Sequence, residues 1–481
     1  MIELALGEVA AIVGGRLAGA DPSVPVTGSV EFDSRAVTEG GLFLAIAGER
    51  VDGHDFAATA VANGAVASIV TREVAGPSIL VEDGFAALAA LATAVLERLP
   101  DVTVIGVTGS SGKTSTKDLL AQVLGTAGPT VAPPGSFNNE LGHPYTVLRA
   151  TRDTRYLVLE NSARGIGHIR YLTEIAPPRI GVVLNVGSAH LGEFGSREAI
   201  AQAKGELVEA LPPDGVAILN ADDKLVAAMA ARTRARIVTV GEAPTADVRA
   251  EGVALDELGR PSFTLVAPAG QAAVLLRLVG AHHVGNALAA AAVALECGLS
   301  LLDVAAALSA ATAASRWRME VTDRRDGVLI INDAYNANPE SMRAALNTLA
   351  AVARSRRPGG GRSFAVLGEM AELGPDAPAE HDAIGRLAGR LHISRVIAVG
   401  EQARPIQLGA ALEGSEDGES SWVADVDAAV ALLRSELHNG DVVLVKASRA
   451  ASLERVALAL VDDAAAGVAS GATSTSGGDE A

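Results

Sequence analysis

Residues 102–116 read V-T-V-I-G-V-T-G-S-S-G-K-T-S-T, and the types and spacing of Gly109, Ser110, Ser111, Gly112, Lys113, Thr114 and Ser115 suit one task, the holding of a phosphate chain. Glycines let several backbone N–H groups turn toward a single anion. A helix starting there aims its unpaired N–H groups and the positive end of its dipole at the same point. The dipole contributes only about 0.3–1 kcal/mol, so Lys113 must bring a full charge to the distal phosphates, and the Thr114 hydroxyl is placed to ligate Mg²⁺. The common loop G-x-x-x-x-G-K-[ST] has glycine where this chain has Val107, which makes the loop a shorter G-x-x-G-K-T.

Such a loop works only between a strand and a helix. The β-branched run Val102–Val107 supplies the first and the helix formers Lys117–Leu124 the second; an ordinary βα turn that happens to carry a lysine is the alternative. In open α/β sheets ligands bind beyond the carboxyl ends of the strands, and polar clusters fall at nearly every such end. Strand 156–160 ends in Glu160. Strand 180–186 leads to Gly187-Ser188-Ala189-His190, strand 328–332 to Asp333-Ala334-Tyr335-Asn336, strand 364–367 to Gly368-Glu369-Met370, and strand 442–445 to Lys446-Ala447-Ser448-Arg449. Each has a plain reading on its own. A strand-end glutamate is ordinarily solvated, a lone histidine is ordinarily structural, Asp333 suits a turn and Asn336 a cap. Lys204, in A-K-G-E, suits a helix surface where a nearby Glu pairs it. Their joint occurrence in the order of one site favours chemistry.

The 481 residues divide into three α/β domains. Residues 1–98 form a small α/β unit with helices over 56–63 and 84–99. Residues 99–317 form the central phosphate-loop unit, with a parallel sheet and an antiparallel excursion over 236–280. Residues 318–465 repeat β and α, which implies a parallel, Rossmann-like sheet with right-handed crossovers. No G-x-G-x-x-G fingerprint marks a dinucleotide site. The tail 466–481 is expected to be disordered. Gly298 stops a helix over 286–296, Ser300 and Asp303 suit a capping box, and Asn338-Pro339 suits an N-cap and first helical residue.

Composition excludes several classes. A net charge of −18 opposes nucleic-acid binding. No apolar run reaches about 18 residues, so no membrane span is expected. The N-terminal segment has Glu3 and Glu8 and no basic flank, unlike a signal peptide. The single Cys297 rules out a disulfide framework and fits a reducing compartment, so a cytoplasmic location is expected. Only five of the 39 basic residues are lysines: Lys113, Lys117, Lys204, Lys224 and Lys446. In so arginine-biased a chain a retained lysine marks a place where guanidinium cannot replace an amine.

Taken together, T-G-S-S-G-K-T, F-N-N-E-L-G at 137–142, N-V-G-S-A-H-L at 185–191, A-K-G-E at 203–206, H-H-V-G-N-A-L at 282–288 and N-D-A-Y-N-A-N-P at 332–339 resemble the Mur ligase family of ATP-dependent amide-bond-forming enzymes, over 26–460. The N-terminal D-S-R and G-E-R-V-D-G-H-D-F, with V-L-G-E-M-A-E-L-G and V-K-A-S-R, are similar to the branch that joins D-alanyl-D-alanine to UDP-N-acetylmuramoyl-tripeptide. The D-N-P-R of members adding diaminopimelate or lysine is absent. The resemblance implies ATP and Mg²⁺ as cofactors and a monomer. Lys113 and the loop would hold the ATP phosphates, Thr114 and Glu160 one Mg²⁺, and His190 with a carbamylated Lys204 a second. Asn286, Arg316 and Asp333 would meet the adenosine; Ser34, Arg35, Asp52, His54 and Asn139 the UDP-sugar; Arg449 and Asn336 the dipeptide. The chain departs from the family at Ser136, at Asn161-Ser162 and at Ala447. A sister ligase that adds glutamate to folate, and a P-loop protein using nucleotide as a switch, are the alternatives.

Overall fold

The computed structural model describes residues 1–48, 51–187, 191–356, 359–413 and 419–471, without the side chains of Leu191 and 463–471. Three α/β units follow one another. The first is a five-stranded sheet of β1 (Arg16–Ala18), β2 (Val30–Glu31), β3 (Gly41–Leu44), β4 (Ala65–Val70) and β5 (Ser78–Leu80), ordered β1-β5-β4-β3-β2. Helix α1 (Gly84–Glu97) covers it, begun by the Asp83 carboxylate, which accepts from the N–H groups of Phe85 and Ala86.

The central sheet has nine strands. β6 (Thr103–Thr108) runs into the glycine loop and then α2 (Lys113–Gly125); β7 (Thr130–Val131), α3 (Gly142–Val147), β8 (Tyr156–Glu160), α4 (His168–Ile175), β9 (Ile180–Val183), α5 (Arg197–Glu209), β10 (Val216–Asn220) and β11 (Arg236–Gly241) follow. Then come β12 (Val248–Leu255), β13 (Pro261–Ala267) and β14 (Gly270–Leu275), in the order β14-β13-β12-β11-β10-β9-β6-β8-β7. β11 lies parallel to β10 and to β12, so the antiparallel excursion begins at β12 and not at residue 236. β9 also stops three residues short of the expected Val186. Asn185 there leaves the sheet to hold the glycine loop. α6 (His283–Glu296) buries eight consecutive residues, Ala287–Ala294, in the core of this sheet, where small side chains allow close approach. Gly298, at φ +88, ends that region, and the Ser300 hydroxyl caps α7 (Leu301–Ala310).

The third sheet is β15 (Glu320–Asp323), β16 (Leu329–Asn332), β17 (Ser363–Leu367), β18 (Arg395–Val399), β19 (Glu419–Val423) and β20 (Val442–Lys446), ordered β15-β16-β20-β17-β18-β19 and parallel except for β15. Between the strands lie α8 (Pro339–Arg356), α9 (Ala377–Arg390), α10 (Arg404–Glu413) and α11 (Val426–Glu436), and α12 (Glu454–Gly471) closes the chain. α12 continues past the expected end at residue 465; the rest of the expected tail, 472–481, lies outside the described residues.

The cores are shared unequally. One apolar cluster joins Leu42, Ile69 and Leu91 of the first unit to Val104, Leu157 and Leu159 of the central sheet. The third unit keeps two clusters almost wholly its own, touching the central unit through Val279 and Leu258.

Candidate active site

The glycine loop is fixed before any ligand is considered. The Ser110 and Ser111 N–H groups donate to the backbone and side-chain oxygens of Asn185, at 3.1 and 2.9 Å, and Asn185 Nδ2 returns a bond to the Ser111 carbonyl. Two of the amides expected to face an anion are therefore spent on structure. The remaining donors belong to the first turn of α2, whose opening N–H groups have no intrahelical partner. α2 starts on Gly112, at φ +81, with no side-chain cap. A Cβ on Gly112 would stand 2.5 Å from Asn286 Oδ1, so glycine is required both by conformation and by space.

Lys113 Nζ donates to the Gly109 carbonyl at 2.7 Å; burial lowers its pKa, and the nearby Glu160 carboxylate opposes that. Glu160, fully buried at the end of β8, accepts from Asn138 through Oε2, while Oε1 has no partner among the described residues. Burial pushes its carboxyl upward and the Lys113 charge pulls it back. A buried, orphaned carboxylate oxygen is costly unless something else pairs it. With the Thr114 hydroxyl it forms a hard-oxygen donor set of the kind Mg²⁺ takes alongside phosphate and water. The residues present therefore fit the ion.

Lys204 is buried on α5, and its pKa lies well below the ordinary lysine range, through burial and then the Lys113 charge. The expected glutamate partner is engaged elsewhere. Glu206 accepts from the N–H groups of Gly167 and Arg170 and caps α4, and no ion pair to Lys204 occurs among the described residues. A neutral buried amine is the form that takes up CO₂ to become a carbamate. His190, with Ser188 and Ala189, lies outside the described residues.

One cavity of about 520 Å³ brings the central and third units together. Ser110, Ser111, Gly112, Lys113, Thr114, Ser115, Asn139 and Asn286 line it from one side, and Asp333, Asn336 and Arg449 from the other. Asp333 is held by buried Lys446, whose Nζ lies 2.6 Å from Oδ2, and its Oδ1 accepts from the Met319 N–H. Arg449 pairs with Glu454 at 2.6 Å and lies over the Trp317 ring. Asn338 caps α8 and donates to the Ser110 carbonyl, so the third unit touches the loop itself.

Arg316 needs correcting: it is exposed and does not line the cavity. Arg318, two residues on, does. Its guanidinium stacks on Tyr335 at 4.3 Å and reaches the hydroxyls of Thr114 and Ser136 at 3.4 and 3.3 Å. In S-R-W-R-M-E both arginines look alike; only the left-handed turns at Trp317 (φ +58) and Met319 (φ +51) direct the second one inward. Lys446 and the His282–His283 pair also line the cavity. Both histidines belong to H-H-V-G-N-A-L and Lys446 is one of the five lysines, but nothing in the sequence assigns them a surface.

Ser34, Arg35, Asp52 and His54 stand apart from this cavity, in the first unit. Arg35 is exposed and paired with Asp33. Both ring nitrogens of His54 are engaged within the first unit. Its Nε2 accepts from the Thr71 N–H, which leaves the proton on Nδ1, 2.6 Å from Asp52 Oδ1. The His54 N–H and ring hold the Asp52 carboxyl down at about 2. Phe32, beside these residues, packs edge-on against Phe137 and Tyr145 of the central unit, so the first unit joins next to Asn139.

Comparison with known proteins gives matches along most of the chain. Residues 28–97 match the Mur ligase family, catalytic domain; 107–294 the Mur ligase middle domain; and 317–449 the Mur ligase, glutamate ligase domain. A UDP-N-acetylmuramoyl-tripeptide--D-alanyl-D-alanine ligase of Mycobacterium bovis is 57% identical over 96% of this chain and 98% of its own. The Escherichia coli ligase of that name is 36% identical over 96% and 99%. A crystal structure of MurF from Acinetobacter baumannii superposes with a TM-score of 0.84 at 33% identity, covering 96% and 99%. MurF ligase from Thermotoga maritima in complex with ADP gives 0.78 at 31%, covering 92% and 99%.

Proposed function

The chain belongs to the Mur ligase family, and from that premise we propose that it joins D-alanyl-D-alanine to UDP-N-acetylmuramoyl-tripeptide, as an ATP-dependent, ADP-forming ligase of peptidoglycan precursor synthesis. The observation that carries this reading is the single cavity whose one wall is a phosphate loop and whose other wall, from a separate unit, carries Arg449 and Asn336.

A carboxylate resists an amine because its oxygen is a poor leaving group. The tripeptide's terminal carboxylate attacks the ATP γ-phosphate, giving an acyl phosphate and ADP; the dipeptide amine then adds to the acyl carbon, and the tetrahedral intermediate expels phosphate. The protein's task is placement and charge balance. Lys113 and the first-turn amides of α2 hold the phosphates, Arg318 adds a second cation, and Asn286 and Asp333 flank the adenosine. Thr114 and Glu160 would hold one Mg²⁺, and His190 with carbamylated Lys204 another. When bound, these ions neutralise repulsion between the incoming carboxylate and the triphosphate. Ser34, Arg35, Asp52 and Asn139 would meet the UDP-sugar, with His54 orienting Asp52.

No helix among the described residues is long and apolar enough to cross a membrane. Mass spectrometry of a reaction with ATP, Mg²⁺, UDP-muramoyl-tripeptide and D-alanyl-D-alanine should show the pentapeptide product and ADP in equal amounts. ADP formed equally well without dipeptide would support a nucleotide switch instead, and a glutamate-dependent product the folate-type alternative.

A further inference from the structure

We propose that the Lys117–Asp118 pair positions Arg318 on the nucleotide, by fixing the two segments that meet at its guanidinium; the inference rests on the ligase reading above. Lys117 is one of the five lysines, and unlike Lys113 and Lys446 it does not line the cavity. Its side chain is 4% exposed and pairs with Asp118, which is 13% exposed. Its Nζ also donates to the Pro133 carbonyl at 2.8 Å. A compact ammonium can turn its donors toward a carbonyl and a carboxylate in different directions, where a planar guanidinium of fixed geometry cannot.

The pair thereby reaches two separate stretches of chain. On one side Pro133 lies three residues before Ser136, whose hydroxyl is 2.7 Å from that of Thr114. On the other, Asp118 Oδ2 accepts from the Ser315 N–H at 3.1 Å, three residues before Arg318. Thr114 and Ser136 are the two hydroxyls that the Arg318 guanidinium reaches. Thr114 and Asp118 stand one turn apart on the same face of α2, about 6 Å along its axis. One helical turn therefore carries both the Arg318 contact and the anchor of the segment that delivers it.

Gln122, a further turn along that face, doubles the anchor. Its side-chain amide exchanges two bonds with the Thr312 backbone: Nε2 donates to the carbonyl at 2.9 Å, and Oε1 accepts from the N–H at 3.0 Å. Beyond Ser315 the backbone bonds pass to the third unit. The Trp317 carbonyl accepts from the Tyr335 N–H, and the Met319 N–H donates to Asp333. The passage between the units thus falls at Arg316, between two held neighbours, and Arg318 lies just past it. Where Ser315 is held decides where Arg318 points.

A buried ion pair can also serve stability alone, and the test separates the two roles. The full chain carrying Lys117→Met with Asp118→Leu loses both charges together, so no unpaired charge is left buried. ATP affinity is read by calorimetry with Mg²⁺, in the otherwise native chain and in Arg318→Ala. The double replacement should weaken ATP roughly tenfold where Arg318 is present and by no more than about twofold where it is absent, because changes acting through one contact do not add. Gln122→Met, which releases Thr312 and keeps the pair, should weaken ATP about threefold with the same dependence on Arg318, and it decides the matter if the double replacement does not fold. Equal weakening in both backgrounds would mean a role in stability, or in the pull that Lys117 exerts on the Glu160 carboxyl, and would overturn the proposal. Unaltered ATP affinity would overturn it too. The ligase reading fails separately, if wild-type protein that binds ATP releases no ADP in response to dipeptide.

Discussion

Lys113 carries the heaviest electrostatic load at the scale of single residues. Removing a buried cation worth about 4 kcal/mol to a developing charge slows a reaction roughly a thousandfold. Lys113→Ala should therefore abolish dipeptide-dependent phosphate release in a stopped assay, and turnover like the wild type would rule out the loop's role. Lys204 makes a more specific demand. If its carbamate is the working group, Lys204→Ala should regain part of its activity with added short carboxylates, whereas Lys204→Arg should not, because an obligate cation displaces the metal it replaces a ligand for. Arg318→Ala should raise the KM for ATP at least tenfold, and Arg316→Ala should leave it unchanged. That contrast marks the limit of what residue types reveal. The positions of the glycine loop, Glu160 and Asp333 at strand ends were legible because periodicity locates such ends. Arg318 was not, because which of two arginines turns inward depends on backbone dihedrals at Trp317 and Met319 that leave no compositional trace.

The start of α2 shows what an element adds beyond its residues. Asn185 consumes the amides of Ser110 and Ser111, so on the proposed reading anion binding falls to a helix end that lacks a side-chain cap. Gly112→Ala places a methyl against Asn286 Oδ1 and forces a left-handed alanine, which costs about 1–2 kcal/mol. The expected outcome is a lower midpoint in urea together with weaker ATP binding by calorimetry; loss of stability with unaltered ATP affinity would dissociate Gly112 from the site. Strand and helix positions were read to within a few residues wherever apolar runs were long. The misses have physical causes. Residues Leu184–Val186 are as apolar as a strand but are drawn out by Asn185, and Arg236–Gly241 alternates like a hairpin strand yet pairs in parallel with β10.

For the whole molecule, the distribution of apolar contact decides which parts travel together. The first and central units share one core cluster, whereas the third has its own. ATP with the tripeptide substrate should therefore move the third unit and leave the first two fixed, measurable as a changed distance between fluorophores on α9 and α5 with none between α1 and α5. Acidity tests the shared core. His143, buried beside the first unit, has both ring nitrogens unpartnered, and burial lowers it to about 3; His282 falls to about 4 for the same reason. These rings are neutral when folded and charge near pH 6.5 when unfolded. The unfolded state then binds more protons below that point, so stability is lost as pH falls from about 6.5 toward 4, by about 1.36 kcal/mol per pH unit for each ring. In urea unfolding at pH 7 and pH 5, His143→Leu should lose about 2 kcal/mol less than the wild type between the two conditions.

The three residues Trp317, Arg318 and Met319 tether the third unit to the second, bonded to Tyr335 and Asp333 on one side while the middle guanidinium touches Thr114 and Ser136 on the other. Rotation of the third unit about this segment would carry Arg318 away from Thr114 and Ser136, and on the proposed reading would couple discharge of spent ADP to readmission of fresh dipeptide.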